Sequence, residues 1–159
     1  MFNLTPTAMN FTGSKVDTPT TRALQFPSVE KFMATGETTL SPEMTINEAI
    51  DIMLDQHLTG APVLDSHRKI VGMLSEKDCL RLLIDSAYNN LHHDDKTVAD
   101  YMSEVVKTVT VDHNIFDVAN EFLTTHFRKF PVVHNGKLVG QVSRRDILKA
   151  VRETKNTTW

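Results

Sequence analysis

The chain has 159 residues, of which 40% are hydrophobic and 23% are charged, and its formal net charge is −3. This length and composition are typical of one compact domain, or of two smaller units that share a core, and they argue against a disordered or fibrous chain. The negative net charge argues against nucleic acid as the main partner, because binding a phosphate backbone requires a basic surface.

The N-terminal residues 1–27 are rich in threonine and contain three prolines. They contain no apolar run of the kind a signal peptide requires, and no stretch of the sequence is long and apolar enough to span a membrane. We therefore expect an N-terminal arm or tail and no membrane partner. A single cysteine, Cys79, cannot form an internal disulfide or a zinc-binding pair, which favours a reducing, cytoplasmic location.

The rest of the chain contains an internal repeat. Val29, Met33 and Thr39 recur at a constant offset as Val98, Met102 and Thr108. The repeat divides the chain into an arm (1–27), a first unit (28–88), a polar linker (89–96), a second unit (97–153) and a C-terminal tail (154–159).

The first helix of each unit is amphipathic. Apolar residues at the spacing of one helix face are Ile46, Ala49, Ile50, Met53 and Leu54 in the first copy, and Ile115, Val118, Ala119, Phe122 and Leu123 in the second. Thr45 and Glu48 predict a capping box at the first of these helices, and Asn114 with Asp117 predict a weaker version at the second. His57 and His126, at the ends of these helices, are interpreted as structural.

A hairpin of two short strands and a second helix complete each unit. The strands are predicted around Pro62 and Gly72 in the first copy and around Pro131 and Gly140 in the second, and the helices run from Ser75 to about Asp85 and from Ser143 to about Glu153. The expected fold is therefore α+β, with two β-α-β-β-α units packed sheet to sheet about a pseudo-two-fold axis.

The ordered motif residues resemble a known family. In the first copy the motif residues are Met33, Pro62-Val63 and Gly72-Met-Leu-Ser-Glu-Lys-Asp78. In the second copy they are Met102, Pro131-Val132 and Gly140-Gln-Val-Ser-Arg-Arg-Asp146. This set is similar to a tandem pair of cystathionine β-synthase (CBS) domains, or Bateman module, here standing alone. The resemblance implies clefts between the units that bind an adenosine derivative such as AMP, ADP, ATP or S-adenosylmethionine. It also implies a homodimer that regulates a separate effector protein.

Four residues are the main candidates for ligand binding: Ser75, Asp78, Ser143 and Asp146. They lie where a strand turns into a helix, and a helix N-terminus offers free N–H groups and a favourable field for an anion. By resemblance they are the ribose and phosphate positions of the family. A Ser-x-x-Asp sequence is equally a capping box, and the two roles can coexist.

The second copy is the more basic one. It has Arg128, Lys129, Arg144 and Arg145 where the first copy has Thr59, Gly60, Glu76 and Lys77. Because guanidinium groups suit phosphate, we expect Arg144 and Arg145 to favour a phosphorylated ligand near Asp146; the alternative is that these charges are solvated surface groups.

A base pocket is expected next to the two proline motifs. Its candidate residues are Thr39, Gly60, Ala61 and Pro62 in the first copy and Thr108, Lys129, Phe130 and Pro131 in the second. Phe130 either stacks on a base or fills the space that a base would take.

These observations favour a regulatory module that senses an adenine nucleotide and signals to a partner protein. The alternative is an assembly module that dimerises but has lost its ligand. No catalytic triad, carboxylate pair or phosphate-binding glycine loop indicates an enzyme, and no cofactor is expected. His92-His93-Asp94-Asp95 is interpreted as a solvated linker and not as a metal site.

Overall fold

The computed structural model describes residues 26–89 and 94–158. Most of the predicted arm and the pair His92-His93 lie outside the described residues. A 3-10 helix, Val29–Lys31, is followed in the first unit by α1 (Ile46–Asp55), β1 (Gly60–Leu64), β2 (Ile70–Ser75) and α2 (Glu76–Asn89). The second unit contains α3 (Val98–Tyr101), β3 (Val109–Thr110), α4 (Ile115–Thr124), β4 (Lys129–His134), β5 (Lys137–Ser143) and α5 (Arg144–Thr158).

The predicted helix caps are present. Thr45 and Glu48 form the reciprocal capping box at α1, with the Glu48 N–H 3.3 Å from the Thr45 hydroxyl and the Thr45 N–H 3.1 Å from the Glu48 carboxylate. At α4, the Asn114 side-chain oxygen accepts from the N–H groups of Phe116 and Asp117 at 2.9 and 3.0 Å. These side chains satisfy N–H groups that a helix start leaves without partners.

The order strand, helix, strand, strand, helix is complete in the second unit. There β3 pairs in parallel with β4, and β4 pairs in antiparallel with β5. In the first unit β1 pairs in antiparallel with β2, but the first strand is reduced to Leu40, which bridges Val63. The reason is Pro42: its counterpart Val111 donates its N–H to Val133 at 3.3 Å, whereas proline has no N–H to continue the ladder.

The N-terminal segment of the first copy packs against the second copy. Val29 is fully buried in a core formed by α4, α5 and the β3-β4-β5 sheet. Its N–H donates to His113 at 2.8 Å, and the Ile115 N–H donates to Pro27 at 3.1 Å.

The corresponding segment of the second copy packs against the first. Val98 and Tyr101, on α3, are buried in the core of the first unit. The Val98 N–H donates to Met44 at 2.8 Å, and the Ile46 N–H donates to Lys96 at 2.9 Å. The two copies therefore exchange their leading segments, and each core is built from both repeats.

The exchange of leading segments explains why the motif positions Gly72 and Gly140 are occupied by glycine. A Cβ on Gly140 would lie 2.8 Å from the sulfur of Met33 and 2.5 Å from the Ala34 carbonyl oxygen, and one on Gly72 would lie 2.5 Å from the sulfur of Met102. No side chain fits at either position. Lys69 bridges Lys137, its own counterpart in the repeat, which places the pseudo-two-fold axis between these residues.

The second helix of each unit is longer than the sequence predicts. α2 extends to Asn89 and α5 to Thr158, so the residues predicted as a C-terminal tail are helical as far as Thr158. No glycine or proline follows Glu153 to end the helix, so the helix end predicted near Glu153 was too early.

Candidate ligand site

Ser143 and Asp146 join the end of β5 to the start of α5. One oxygen of the Asp146 carboxylate, Oδ2, accepts from the Ser143 N–H at 2.8 Å and from the Ser143 hydroxyl at 2.6 Å. The Ser143 hydroxyl in turn accepts from the Asp146 N–H at 3.2 Å. The other oxygen, Oδ1, lies 3.8 Å from the Lys149 ammonium. The predicted capping box is thus formed, and it occupies one oxygen of the carboxylate.

Ser75 and Asp78 form the same arrangement between β2 and α2. Asp78 Oδ2 accepts from the Ser75 N–H at 3.0 Å and from its hydroxyl at 2.6 Å, while Oδ1 lies 3.6 Å from the Arg81 guanidinium. The two boxes are close copies, so the fold alone does not distinguish the two sites.

A cavity of about 200 Å³ opens beside the second box. Its lining brings together three of the predicted residues, Lys129, Ser143 and Asp146, with three that were not predicted, Ala34, Glu37 and Gln141. Ala34 and Glu37 belong to the exchanged N-terminal segment, so both repeats contribute to the wall.

The alternation of the strands explains which side chains reach the cavity. Lys129 pairs with Ser143, and Pro131 pairs with Gln141, which places all four on one face of the β4-β5 hairpin. Phe130 and Val142 lie on the opposite face, in the core.

Gln141 is the residue that sequence reasoning missed. Its side chain is 3% exposed, and its Oε1 has no hydrogen-bond partner among the described residues. Its backbone N–H donates to Ala34 at 2.9 Å and its carbonyl accepts from the Ala34 N–H at 2.8 Å, which fixes its position. The signal was present in the sequence, because Gln141 is polar within an apolar strand and its counterpart is Met73.

Arg144 is directed away from the cavity. Its guanidinium donates to the Phe127 carbonyl at 2.9 Å and lies 5.9 Å from the centre of the Phe122 ring. The carbonyls beyond the end of α4 suit a cation, so these contacts give Arg144 a structural role at that helix end, and its contact with phosphate stays a prediction. Arg145 is exposed and does not line the cavity.

Phe130 does not form a base pocket. Its ring is fully buried, stacks on Phe122 at a centroid distance of 4.4 Å and meets Phe127 edge-on at 5.9 Å. Of the two alternatives for Phe130, the structure favours filling over stacking on a base, because successive side chains of β4 alternate between its two faces and that of Phe130 lies on the core face. Ala61, its counterpart, is likewise buried in the first core.

The remaining base-pocket candidates lie around these cores. Pro62 and Pro131 are fully buried, and Thr39 and Thr108 are partly buried. A Cβ on Gly60 would lie 3.1 Å from the Leu74 carbonyl oxygen. None of these five residues lines the cavity beside Asp146.

A larger cavity of about 500 Å³ lies on the outer side of α1. Glu43, Glu48 and Asp51 line it, and it contains no predicted site residue. Three carboxylates repel a phosphate group, so this cavity is poorly suited to bind a nucleotide.

Two further findings hold for residues 26–89 and 94–158. No group of three His, Cys, Asp or Glu side chains is placed to hold a metal ion there. No helix in this part of the chain combines the length and apolar character needed to cross a membrane.

Comparison with known proteins places this geometry in a family context. Protein MJ1225 of Methanocaldococcus jannaschii is 30% identical over 121 residues, which cover 76% of this chain and 41% of that protein. The chain thus spans less than half the length of this relative.

Two solved structures are similar over most of the chain. The structure of CBSX2 from Arabidopsis thaliana in complex with AMP is 28% identical, with a TM-score of 0.71 over 81% of this chain and 98% of that one. The CBS domain pair of protein MJ0100, in complex with 5′-methylthioadenosine and S-adenosyl-L-methionine, is 25% identical, with a TM-score of 0.66 over 80% of this chain and 98% of that one. The model of the CBS domain matches residues 29–85 and 98–153. The chain therefore belongs to the CBS domain family, as a tandem pair.

Proposed function

We propose that this CBS pair binds an adenosine-type ligand in the cavity beside Asp146 and reports its presence to a partner protein. One observation carries the proposal: Ser143 and Asp146 at the start of α5, Lys129, and Gln141 with its unpaired Oε1 among the described residues, all line one cavity. These groups match the phosphate, the sugar and the base of a nucleotide.

The capping box leaves room for a sugar. Asp146 Oδ2 is occupied by Ser143, whereas Oδ1 has only an ion pair with Lys149 at 3.8 Å. A ribose hydroxyl can donate to Oδ1 without opening the box. Lys129, on the same face of the hairpin, supplies a positive charge for a phosphate group.

The cavity volume bears on the ligand. About 200 Å³ lies below the range of roughly 300–1,000 Å³ that is usual for small-molecule sites. A nucleoside fills such a space with its base and sugar, and its phosphates then extend toward solvent at the start of α5. The ligands of CBSX2 and protein MJ0100 are adenosine derivatives, and we propose the same class here, such as AMP, ADP, ATP or S-adenosylmethionine.

The module acts as a homodimer in this proposal. Large apolar side chains are exposed on the second helix of each unit, among them Leu83 and Ile84 on α2 and Leu148 on α5, which are 66%, 54% and 70% exposed. Such a surface is suited to a second copy or to an effector protein. Sedimentation of the wild type as a dimer, and of a Leu83→Glu Leu148→Glu variant as a monomer, would support this; a wild-type monomer at 100 µM would contradict it.

The proposed role is regulatory and not catalytic, and it requires no cofactor. Ligand binding changes the partner only if the ligand prefers one arrangement of the two units. We place the protein in the cytoplasm, since its only cysteine is partly buried and forms no disulfide.

The second candidate function is assembly without a ligand. The exposed leucines favour it, because a dimer surface requires no nucleotide. Ligand binding distinguishes the two functions.

Thermal unfolding with AMP, ADP, ATP, NADH or S-adenosylmethionine tests the proposal. A ligand at about 100 times its Kd stabilises the folded state by about 2.7 kcal/mol, which raises the Tm by about 5–10 °C for a chain of this size. If none of these compounds changes the Tm at millimolar concentration, the sensing function is excluded and assembly is the better account.

A further inference from the structure

Building on the proposed function, we propose that Gln141 selects the base of the bound nucleotide. Its side-chain amide pairs with the edge of adenine that carries the amino group. We call the site beside Asp146 the second cleft and the corresponding site beside Asp78 the first cleft. The second cleft therefore distinguishes adenine from 6-oxopurines, and the first cleft does not.

The first argument is the cost of the unpaired amide. Gln141 is 3% exposed and its Oε1 has no partner among the described residues. Buried polar groups are almost always hydrogen-bonded, because an unsatisfied one destabilises the fold. Backbone hydrogen bonds to Ala34 at 2.8 and 2.9 Å fix the backbone of Gln141, and its side chain lines the cavity, so a ligand in the cavity is placed to pair with Oε1.

The second argument is position. Gln141 and Ser143 lie on one face of β5 and both line the cavity. Residues two apart on a strand are separated by about 6.8 Å. This is the scale that separates the sugar of a nucleotide from the far edge of its base. With the sugar at Ser143 and Asp146 and the phosphate at the start of α5, the base lies over Gln141.

The third argument is the pattern of donors and acceptors. A glutamine amide forms two hydrogen bonds with adenine: its oxygen accepts from the amino group and its nitrogen donates to the ring nitrogen N7. A 6-oxopurine such as hypoxanthine presents an oxygen in place of the amino group. On the edge that carries N7, this oxygen and N7 are both acceptors, so rotating the amide of Gln141 satisfies them only through its nitrogen and leaves Oε1 buried and unpaired.

The repeat itself provides the contrast. Met73 occupies the position of Gln141 in the first copy, and its backbone pairs with Ser103 as Gln141 pairs with Ala34. A thioether neither donates nor accepts strongly, so the first cleft has no group at this position that reads a base edge. The substitution Gln141→Met therefore introduces into the second cleft the side chain that the first copy already has at this position.

The test compares AMP with inosine monophosphate in the full chain. NMR titration follows the backbone amides of Gly140 and Gly72, each adjacent to the residue in question, and so reports the two clefts separately. For the wild type we expect AMP to bind about tenfold more tightly than inosine monophosphate at Gly140, and with about equal affinity at Gly72. Gln141→Met should reduce the tenfold ratio at Gly140 to about one.

The variant also has a signature that loss of structure would not give. Because it removes an unsatisfied buried acceptor, Gln141→Met should raise the Tm of the free protein while abolishing the selectivity. If it does not fold, Gln141→Leu is used in the same way. The ratio of AMP affinity to inosine monophosphate affinity at Gly140 in the wild type tests the proposal independently of either variant.

The possible failures are separable. An AMP to inosine monophosphate ratio near one at Gly140 in the wild type, or a tenfold ratio retained in the variant, overturns the role of Gln141 and leaves the proposed function standing. If none of AMP, inosine monophosphate, ADP, ATP and S-adenosylmethionine perturbs Gly140, the proposed function fails, and this inference fails with it.

Discussion

Asp146 serves the fold and the proposed site with different oxygens of one carboxylate. Oδ2 closes the capping box with Ser143, and Oδ1 lies 3.8 Å from the Lys149 ammonium. Asp78 has the same geometry with Ser75 and Arg81. Comparing Asp146 with Asp78 therefore separates helix capping from ligand binding, because both residues cap a helix while the side chains around them differ.

The first prediction uses this pair. Asp146→Ala and Asp78→Ala should each destabilise the free protein by about 1 kcal/mol, because each removes one capping box. In the presence of AMP, Asp78→Ala should keep most of the wild-type increase in Tm, whereas Asp146→Ala should lose it. Thermal unfolding with and without AMP measures both effects, and an equal loss in the two variants would show that the second cleft has no advantage.

The second prediction separates two cations of the second copy. Lys129 lines the cavity, whereas Arg144 donates to the Phe127 carbonyl. Lys129→Gln should weaken AMP binding by up to about fivefold and leave uncharged adenosine unaffected. Arg144→Ala should lower the free energy of unfolding by about 1 kcal/mol and leave AMP affinity unchanged. Calorimetric titration checks both, and a weaker affinity for AMP in Arg144→Ala would restore Arg144 to the phosphate site.

At the scale of elements, the exchange of leading segments links the two units. Val29 lies in the second core and Val98 in the first, and both are fully buried. Ala34 and Glu37, on the exchanged segment, also complete the wall of the proposed ligand cavity. The exchange therefore makes the cavity depend on both repeats.

The third prediction follows from this exchange. Val29→Ala should cost about 2 kcal/mol, since it removes two buried methyl groups. Although Val29 belongs to the first repeat, amide hydrogen exchange should accelerate mainly in β4 and β5. The matched variant Val98→Ala should instead accelerate exchange in β1 and β2. Acceleration within each residue's own repeat would contradict the exchanged arrangement.

The helices and hairpins could be predicted from the sequence, because their signals are local. The apolar spacing from Ile46 to Leu54 and the Ser-x-x-Asp boxes each lie within a few residues. The exchange could not be predicted, since Val29 and Val98 are identical and either assignment preserves the repeat. The side-chain directions of Arg144 and Phe130 could not be predicted, because aligning the two repeats gives the residue type at a position but not the direction of its side chain.

At the scale of the molecule, stability depends on pH at the alkaline end. Tyr101 is buried and its hydroxyl donates to Asp85 at 3.2 Å, where burial and this carboxylate raise the pKa of Tyr101 above its usual value. Burial also raises the pKa of Cys79. A pKa that is higher in the folded state means that the stabilisation is complete below the unfolded pKa and is lost as the pH rises through the folded one.

The fourth prediction concerns Tyr101→Phe. At neutral pH the variant should be about 1 kcal/mol less stable than the wild type, because it lacks the hydrogen bond to Asp85. Above about pH 10, where tyrosine ionises, the wild type should lose this advantage, so the difference in Tm should narrow. Thermal unfolding from pH 7 to pH 11 measures it, and a difference that stays constant would show that Tyr101 does not titrate in this range.

A crystal structure of the full chain with AMP tests the central claim most directly. We predict AMP in the cavity beside Asp146, with a ribose hydroxyl on Oδ1 of Asp146, the phosphate at the start of α5 near Lys129, and the adenine amino group on the Gln141 amide. AMP bound only beside Asp78, or bound away from both capping boxes, would contradict this account.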